Sequence, residues 1–266
     1  MKSRGYVSWI TIGLVLWSEV GRLWADLARG PEFEFGATVW YLEYKEPGLM
    51  TEKGPFAGFD AAYTYRGPSG SEMEDILIRS EVRVGFGLVD YDGQLMDGTP
   101  YSYNGQKSML IEPRILIGRD VAYAEVHMAP YVGVGYRRLD DYQSGDPAGY
   151  DRSSNYLYSP IGLETWAAPE GSWRLGGTLE YDLFWGGQQE TWLFDPPLRN
   201  HQHAGYGVRG SIKFVREGPR SEFVFEPYVV YWSIKTSDVV YGPDAEGYVE
   251  PANHSVEIGL RVGIWF

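Results

Sequence analysis

The chain has no cysteine among its 266 residues, which excludes disulfide frameworks, zinc–thiolate sites and thiol nucleophiles together. Positive charge is scarce: Lys and Arg number 23 against 36 Asp and Glu, for a formal net charge of −13. That balance excludes nucleic acid as a partner, since phosphate binding is driven by lysine and arginine. After residue 17 there is no apolar run approaching the roughly 20 residues that a membrane-spanning helix needs, and no helical period emerges. No Pro/Ser/Gly-rich linker or shift in composition divides the chain, so it reads as one domain.

Aromatic residues are abundant, at 16%, and so is glycine, at 34 residues. Lys2 and Arg4 precede the apolar stretch GYVSWITIGLVLW, residues 5–17, which has the length of a secretory leader and is too short to span a bilayer. The sequence Leu23-Trp24-Ala25 offers a small residue at a cleavage point. The expected organisation is therefore a signal peptide over 1–25 and a mature domain over 26–266.

The mature part is dominated by a two-residue period. Ile76, Ile78, Val82, Val84, Phe86 and Leu88 share one parity, while Arg79, Glu81, Arg83, Gly85 and Gly87 occupy the other. Trp173, Leu175, Leu179, Tyr181, Leu183 and Trp185 alternate with Arg174, Gly176, Glu180 and Asp182. VEIGLRVGIWF, residues 256–266, repeats the pattern. Strict alternation marks strands with one wet and one dry face. It predicts about ten strands (eight or twelve are the alternatives) near 32–45, 55–66, 76–89, 107–118, 121–137, 154–167, 172–186, 205–216, 222–235 and 254–266. The parity stays open in the first and sixth, where Trp40 and Tyr158 suit either face. Pro113, Pro130, Pro160 and Pro227 fall inside predicted strands and should each disturb a ladder. Tight links (RGPSGSE, RD, AAPEGS, VREGPRS) alternate with long polar ones such as DYDGQLMDGTPYSYNG and GGQQETWLFDPPLRNHQHA, as in an up-and-down meander whose two ends face different environments.

Three features put the dry face outward, in lipid. The polar parity carries both signs of charge in near balance: Arg79, Glu81, Arg83, Glu112, Arg114, Glu125, Glu164, Arg174, Glu180, Asp182, Arg209, Lys213, Glu226, Glu257 and Arg261. Glycines among them (Gly85, Gly87, Gly133, Gly135, Gly259, Gly263) suit a narrow lumen in which long charged side chains pass small ones. The strands exceed the roughly 5 to 6 residues usual in soluble sheets, and aromatics cluster at strand ends, as at membrane interfaces. The expected fold is all-β: a transmembrane antiparallel up-and-down barrel with short periplasmic turns and longer extracellular loops.

The leader, the alternating strands and VEIGLRVGIWF together resemble a bacterial outer-membrane β-barrel protein of the porin-like superfamily. The resemblance implies residence in a Gram-negative outer membrane among lipid and lipopolysaccharide, as a monomer. It also implies that Val262, Ile264 and the final aromatic, Phe266, form the signal read by the barrel-assembly machinery.

Candidate chemistry is sparse. RLGGTLEYD, residues 174–182, is similar to a strand of the omptin proteases, and Asp90 and Asp92 could stand for that family's paired aspartates. The omptin mechanism also requires an Asp-His pair after the seventh strand, where this chain reads Thr191-Trp192-Leu193. His201 and His203 lie further along that loop and are the substitutes available; Asp195 is the one carboxylate near enough to complete a metal site with them. The simpler readings are turn chemistry for the aspartates and solvated loop side chains for the histidines. No cofactor and no metal are expected. Lumenal charges of both signs suit an internal salt-bridge network better than an ion-selective path, because they leave little net field. The loop acids Asp140, Asp141, Asp146, Asp151, Asp238, Asp244, Glu246 and Glu250 would meet lipopolysaccharide phosphates only through divalent cations. The expected role is structural or adhesive, or passage of a small polar solute through a narrow lumen. A porin-like channel and an omptin-like protease are the alternatives.

Overall fold

The computed structural model describes residues 32–266 apart from 69, 96, 124–125, 144–145, 147–148 and 168–170. The expected leader and Glu125 lie outside the described residues. Fourteen strands follow in order: β1 (Glu32–Glu46), β2 (Met50–Arg66), β3 (Ile76–Gln94), β4 (Pro100–Arg119), β5 (Val121–Tyr123), β6 (Val126–Tyr142), β7 (Arg152–Ala167), β8 (Trp173–Thr191), β9 (Leu198–Gln202), β10 (Gly205–Arg216), β11 (Glu222–Ile234), β12 (Val240–Tyr241), β13 (Gly247–Tyr248) and β14 (Asn253–Trp265). The ten long ones form a single antiparallel ring in chain order, closed where β1 pairs with β14. The closing seam runs from Glu34↔Trp265 to Lys45↔His254, and Phe33 and Phe266 exchange both backbone hydrogen bonds just below it.

The alternation in sequence becomes the two faces of the wall. In β1, Phe33, Phe35, Val39 and Tyr41 are exposed outward, while Glu34, Thr38, Trp40, Leu42 and Tyr44 are buried inward. In β14, Ile258, Val262 and Ile264 point out, and Glu257 and Arg261 point in. Trp40 and Tyr158, whose parity the sequence leaves open, both turn inward and are buried. Outward aromatics border the apolar band. Phe33, Tyr63, Trp173, Phe214, Phe223 and Phe266 stand near the end where β1 begins and β14 ends, and Tyr41, Tyr136, Trp185 and Tyr206 near the other. An apolar outer belt edged by aromatics is the surface a bilayer requires.

The prolines sit at seams. Beside Pro113 the β4–β6 ladder passes from Ile111↔Arg138 to Arg114↔Gly135, and beside Pro160 the β6–β7 ladder passes from Val132↔Ile161 to Gly135↔Tyr158. Beside Pro227 the β10–β11 ladder passes from Ser211↔Tyr228 to Phe214↔Phe225. Each proline, lacking its N–H, removes rungs on one side while the register stays the same across the gap. Pro130 lies between the stretches of β6 that pair with β5 and with β4.

Several predicted loops are shorter than the sequence suggests. β3 and β4 continue to Gln94 and from Pro100, paired through Tyr91↔Tyr103 and Gly93↔Tyr101, so only residues 95–99 link them. Asp140 and Asp141, expected in a loop, belong to β6. The long link after β8 folds back as β9, which pairs with Gly187 to Thr191 and continues the wall above the start of β10. Glycine and polar turn residues interrupt the hydrophobic pattern without ending the ladder, because backbone pairing beyond the membrane needs no apolar face.

Candidate functional site

The interior of the ring is layered. At the end where β14 finishes, Trp166 and Trp265 meet edge to face with centroids 5.5 Å apart, Val215 and Val224 pack beside them, and the Arg174 guanidinium lies 4.9 Å from the Trp166 ring. Above this floor Arg79 donates to Glu81 at 2.8 Å and to Glu34 at 3.0 Å. Arg261 reaches Glu34 at 3.2 Å, Glu226 at 3.4 Å and Asp60, and Lys213 pairs with Glu164. Arg79, Glu81, Asp60, Glu164, Lys213, Glu226 and Arg261 line a cavity of about 190 Å³ that reaches up to Arg83, Glu112 and Arg209.

The central layer is a continuous network. Glu112 accepts from Arg83 at 2.8 Å, from Tyr158 at 2.8 Å and from both terminal nitrogens of Arg209. Arg209 also donates to Asp182 at 2.7 Å, and Arg114 bridges Glu81 and Glu180. Arg83 and Arg137 flank Glu257 at 2.7 and 2.9 Å. Buried charge on this scale is tolerated only when paired and hydrogen-bonded, and these pairs knit six strands across the bore.

Next to these charges the bore is largely apolar, with the Arg137–Glu257 pair set beside Leu42, Val230 and Tyr156. Trp40, Leu42, Phe56, Val89, Leu110 and Leu139 form one buried cluster, and Tyr156, Tyr158, Phe184, Val230, Trp232 and Ile234 form another. Tyr228 packs against both, joining them across the lumen. Above them, at the open rim, comes a polar layer in which Arg152 donates to Glu46 at 3.2 Å and Glu52 at 3.0 Å, and Tyr44 donates to Glu46 and Glu250. Burial, and next the Glu46 carboxylate beside it, push Glu250 up to about 8.

The structure therefore places fourteen of the fifteen charged-parity residues inside the ring, with Glu125 undescribed. Sequence reasoning missed Glu34, Asp60, Arg137 and the whole apolar layer. Arg137 continues the parity of Gly133 and Gly135 and was visible on that ground. Trp40 and Phe56 were hidden because aromatics stand on both faces of their strands. Among the inward-parity glycines, Gly135, Gly162 and Gly176 stand opposite Arg114, Glu180 and Lys213 on one neighbouring strand. Five glycines, three of them among those expected, also stand opposite an aromatic ring: Phe56↔Gly87, Tyr158↔Gly135, Tyr131↔Gly162, Trp166↔Gly176 and Tyr228↔Gly259. In each couple the ring occupies the space a Cβ would take.

The weak catalytic candidates are not brought together. Asp90 and Asp92 lie on the outward parity of β3, accepting from the Gly105 N–H and the Ser102 hydroxyl, each at 3.0 Å. His201 and His203 are exposed half a ring away, beside β8 and β10. His203 Nε2 does meet a carboxylate, Asp238 Oδ2, at 2.7 Å, but both side chains are about two-thirds exposed. Among the described residues no group of three His, Asp or Glu side chains converges to hold a metal.

The architecture has a solved counterpart. The outer membrane protease OmpT from Escherichia coli superposes with a TM-score of 0.60 over 89% of this chain and 96% of that one, at 11% identity. The fold is that of an outer-membrane β-barrel. Two further solved barrels align with much lower scores. A major outer membrane protein from Thermus thermophilus gives a TM-score of 0.37 at 14% identity over 88% of this chain and 99% of that one. Neisserial surface protein A gives 0.36 at 9% identity over 88% and 95%. No protein-family model matches the chain, and no curated protein matches it in sequence.

Proposed function

We propose that this protein is a non-conducting, non-enzymatic barrel of a Gram-negative outer membrane, with a structural or adhesive role carried by its outer rim. One observation carries the reading: the bore is stacked with an ion-paired layer and an apolar layer that meet at Arg83, whose guanidinium lies 5.1 Å from the Trp40 ring. An ion crossing it would leave water for a region lined by Leu42, Leu110, Trp232 and Ile234, at a steep desolvation cost. Support for the membrane itself comes from the exposed belt of Leu, Ile, Val and aromatic side chains around the ring. Export by a leader, delivery by the barrel-assembly machinery and a monomeric state belong to the same proposal.

The non-enzymatic part rests on the outward, half-a-ring separation of Asp90 and Asp92 from His201 and His203. A water-activating imidazole needs its partner groups within hydrogen-bond reach of one substrate position. The test pairs two measurements on purified barrels. Planar bilayers should remain silent, and a fluorogenic basic peptide should be cleaved no faster than by an Asp90→Ala control. Discrete conductance steps overturn the sealed lumen, and Asp90-dependent cleavage overturns the non-enzymatic reading.

A further inference from the structure

The segment between β11 and β14, residues 235–252, lies along the rim and is tied down on two sides by different chemistry. Toward β9 the ties are backbone, amide and ring contacts. The Asp238 N–H donates to the His201 carbonyl at 3.0 Å, and Asn200 Nδ2 donates to the carbonyls of Asp238 and Tyr248 at 3.1 and 3.0 Å. The Phe194 and Tyr248 rings meet edge to face, 5.7 Å apart. An exposed ion pair, His203 with Asp238 at 2.7 Å, stands beside them. Within the segment the Ser237 N–H donates to the Glu250 carbonyl, and the Glu250 N–H donates to the Ser237 hydroxyl. Glu250 is thereby held at the base of the β12–β13 hairpin, whose Tyr241 is 74% exposed.

Toward β1 the tie is a buried carboxyl. Glu250 is 7% exposed and meets the Tyr44 hydroxyl at 3.2 Å; the same hydroxyl stands 3.1 Å from Glu46. A tyrosine hydroxyl has one hydrogen, so it donates to one of these carboxyls. Its oxygen accepts from the other only where that carboxyl carries a proton.

The surrounding charge leads to the same requirement. Glu46 of β1, Glu52 of β2, Asp141 of β6 and Glu250 are all buried at this level of the rim. Among the described residues the cation paired with them is Arg152 of β7, which donates to Glu46 and Glu52 and lies 4.0 Å from Asp141. Tyr150 and Tyr156 are the other titratable groups that face Glu250. Full ionisation would set four buried negative charges against one guanidinium, and such a group is relieved by holding protons. Burial and then the Glu46 carboxylate raise Glu250 to about 8. Burial raises Glu52 to about 8 as well, against the opposing pull of Arg152.

We propose that residues 235–252 form a strap latched to the barrel mouth by a proton shared between Glu250 and Glu46, and that losing this proton frees the β1 side of the strap to lift while the β9 side stays tied. The latch is set by the rim's own geometry and goes beyond the role proposed for the rim above. Its sign is fixed by linkage. The fastened carboxyl holds a proton up to about 8, whereas one released into water gives it up near the ordinary 4.5. Fastening is therefore strongest near pH 5, weakens as pH rises between those values, and is weakest at pH 9.

The chain has no cysteine, so two spin labels can be placed uniquely. Tyr241→Cys puts one on the hairpin and Tyr142→Cys puts the other at the end of β6, across the ring. Their separation is read by double electron–electron resonance on barrels in detergent micelles. The labelled parent should give a narrow distribution at pH 5 and a longer, broader one at pH 9. Glu250→Gln should stay narrow at both, because its amide donates to Glu46 and accepts from Tyr44 as the protonated acid does. Glu250→Ala should be broad at both, and His203→Ala should behave as the parent. Identical distributions at the two pH values in the parent overturn the latch, and so does a shift that persists in Glu250→Gln. A shift abolished by His203→Ala moves the switch to the β9 side and overturns it too. Loss of the β circular dichroism spectrum at pH 9 would make the transition global, which is equally incompatible with a strap.

Discussion

Removing the negative charge of Glu112 is the sharpest perturbation of the sealed lumen. In Glu112→Gln the side chain keeps its shape and one acceptor but loses the charge that faces Arg83 and Arg209. It also presents an amide N–H₂ to one of those guanidiniums. Breaking a buried ion pair from one side costs about 3–5 kcal/mol, because the partner is left charged and uncompensated. Two features move this case to the lower end: Arg83 keeps Glu257 at 2.7 Å, and Arg209 keeps Asp182 at 2.7 Å. The expected loss is therefore about 3 kcal/mol for Gln, rising to about 5 for Glu112→Leu, which leaves both guanidiniums without an acceptor there. A double change, Glu112→Leu with Arg209→Met, should recover much of the loss, since an apolar pair replaces a charged one in a site already bordered by Tyr158 and Trp232. The assay is reversible urea unfolding in phospholipid vesicles, followed by the fluorescence of the barrel's tryptophans, Trp40 and Trp232 among them. The midpoint should shift with no change in slope. All three variants should also stay silent in planar bilayers, because the apolar layer above the charges is untouched. A Glu112→Gln barrel within about 1 kcal/mol of the wild type at equal slope would refute the claim that this network holds the lumen.

Other outcomes follow from the same structure. Phe266→Ala should slow assembly into vesicles more than it changes the stability of barrels already inserted; equal assembly rates for both proteins would defeat the expectation. Gly259→Ala should cost about 1–3 kcal/mol by crowding the Tyr228 ring and the Trp40 Cβ, read from the urea midpoint, and Tyr228→Ala should relieve only the part due to the ring. The rim is pH-dependent through Glu250. Its folded-state affinity for a proton is raised from the ordinary 4.5 to about 8, so the folded rim binds more protons than the unfolded chain between those values. Stability there falls as pH rises through that window. Protection factors for hydrogen exchange at the paired Ser237 and Glu250 amides, taken against the intrinsic rate at each pH, should fall toward about pH 9 in the wild type and stay level in Glu250→Gln.

Much of the fold was legible because a membrane barrel writes its two faces into alternate residues. The strands around Ile76–Leu88, Trp173–Trp185 and Val256–Phe266 carry charge on one parity and apolar bulk on the other, and each faces as that contrast implies. What stayed hidden follows from the same physics. Where the lumen is filled by Trp40, Leu42, Phe56 and Trp232, the inner face is as apolar as the outer, and alternation loses its contrast. The extension of β3, β4 and β8 beyond the bilayer was hidden too, since pairing there is backbone pairing among polar residues.

The five glycine–aromatic couples add a kind of information that alternation lacks. A strand displaced by one residue turns every side chain to the wrong face, and solvation alone rejects it. A displacement by two keeps charged residues inside and apolar ones outside, so hydrophobicity does not detect it. In that arrangement Phe56 would stand opposite Gly85 or Val89, Tyr228 opposite Arg261 or Glu257, and Tyr158 opposite Arg137 or Gly133. Most of those positions carry a side chain where the ring must lie. The couples thus work as a key cut into the strand edges: they count residues in twos, and only the native count lets the whole set of rings seat at once.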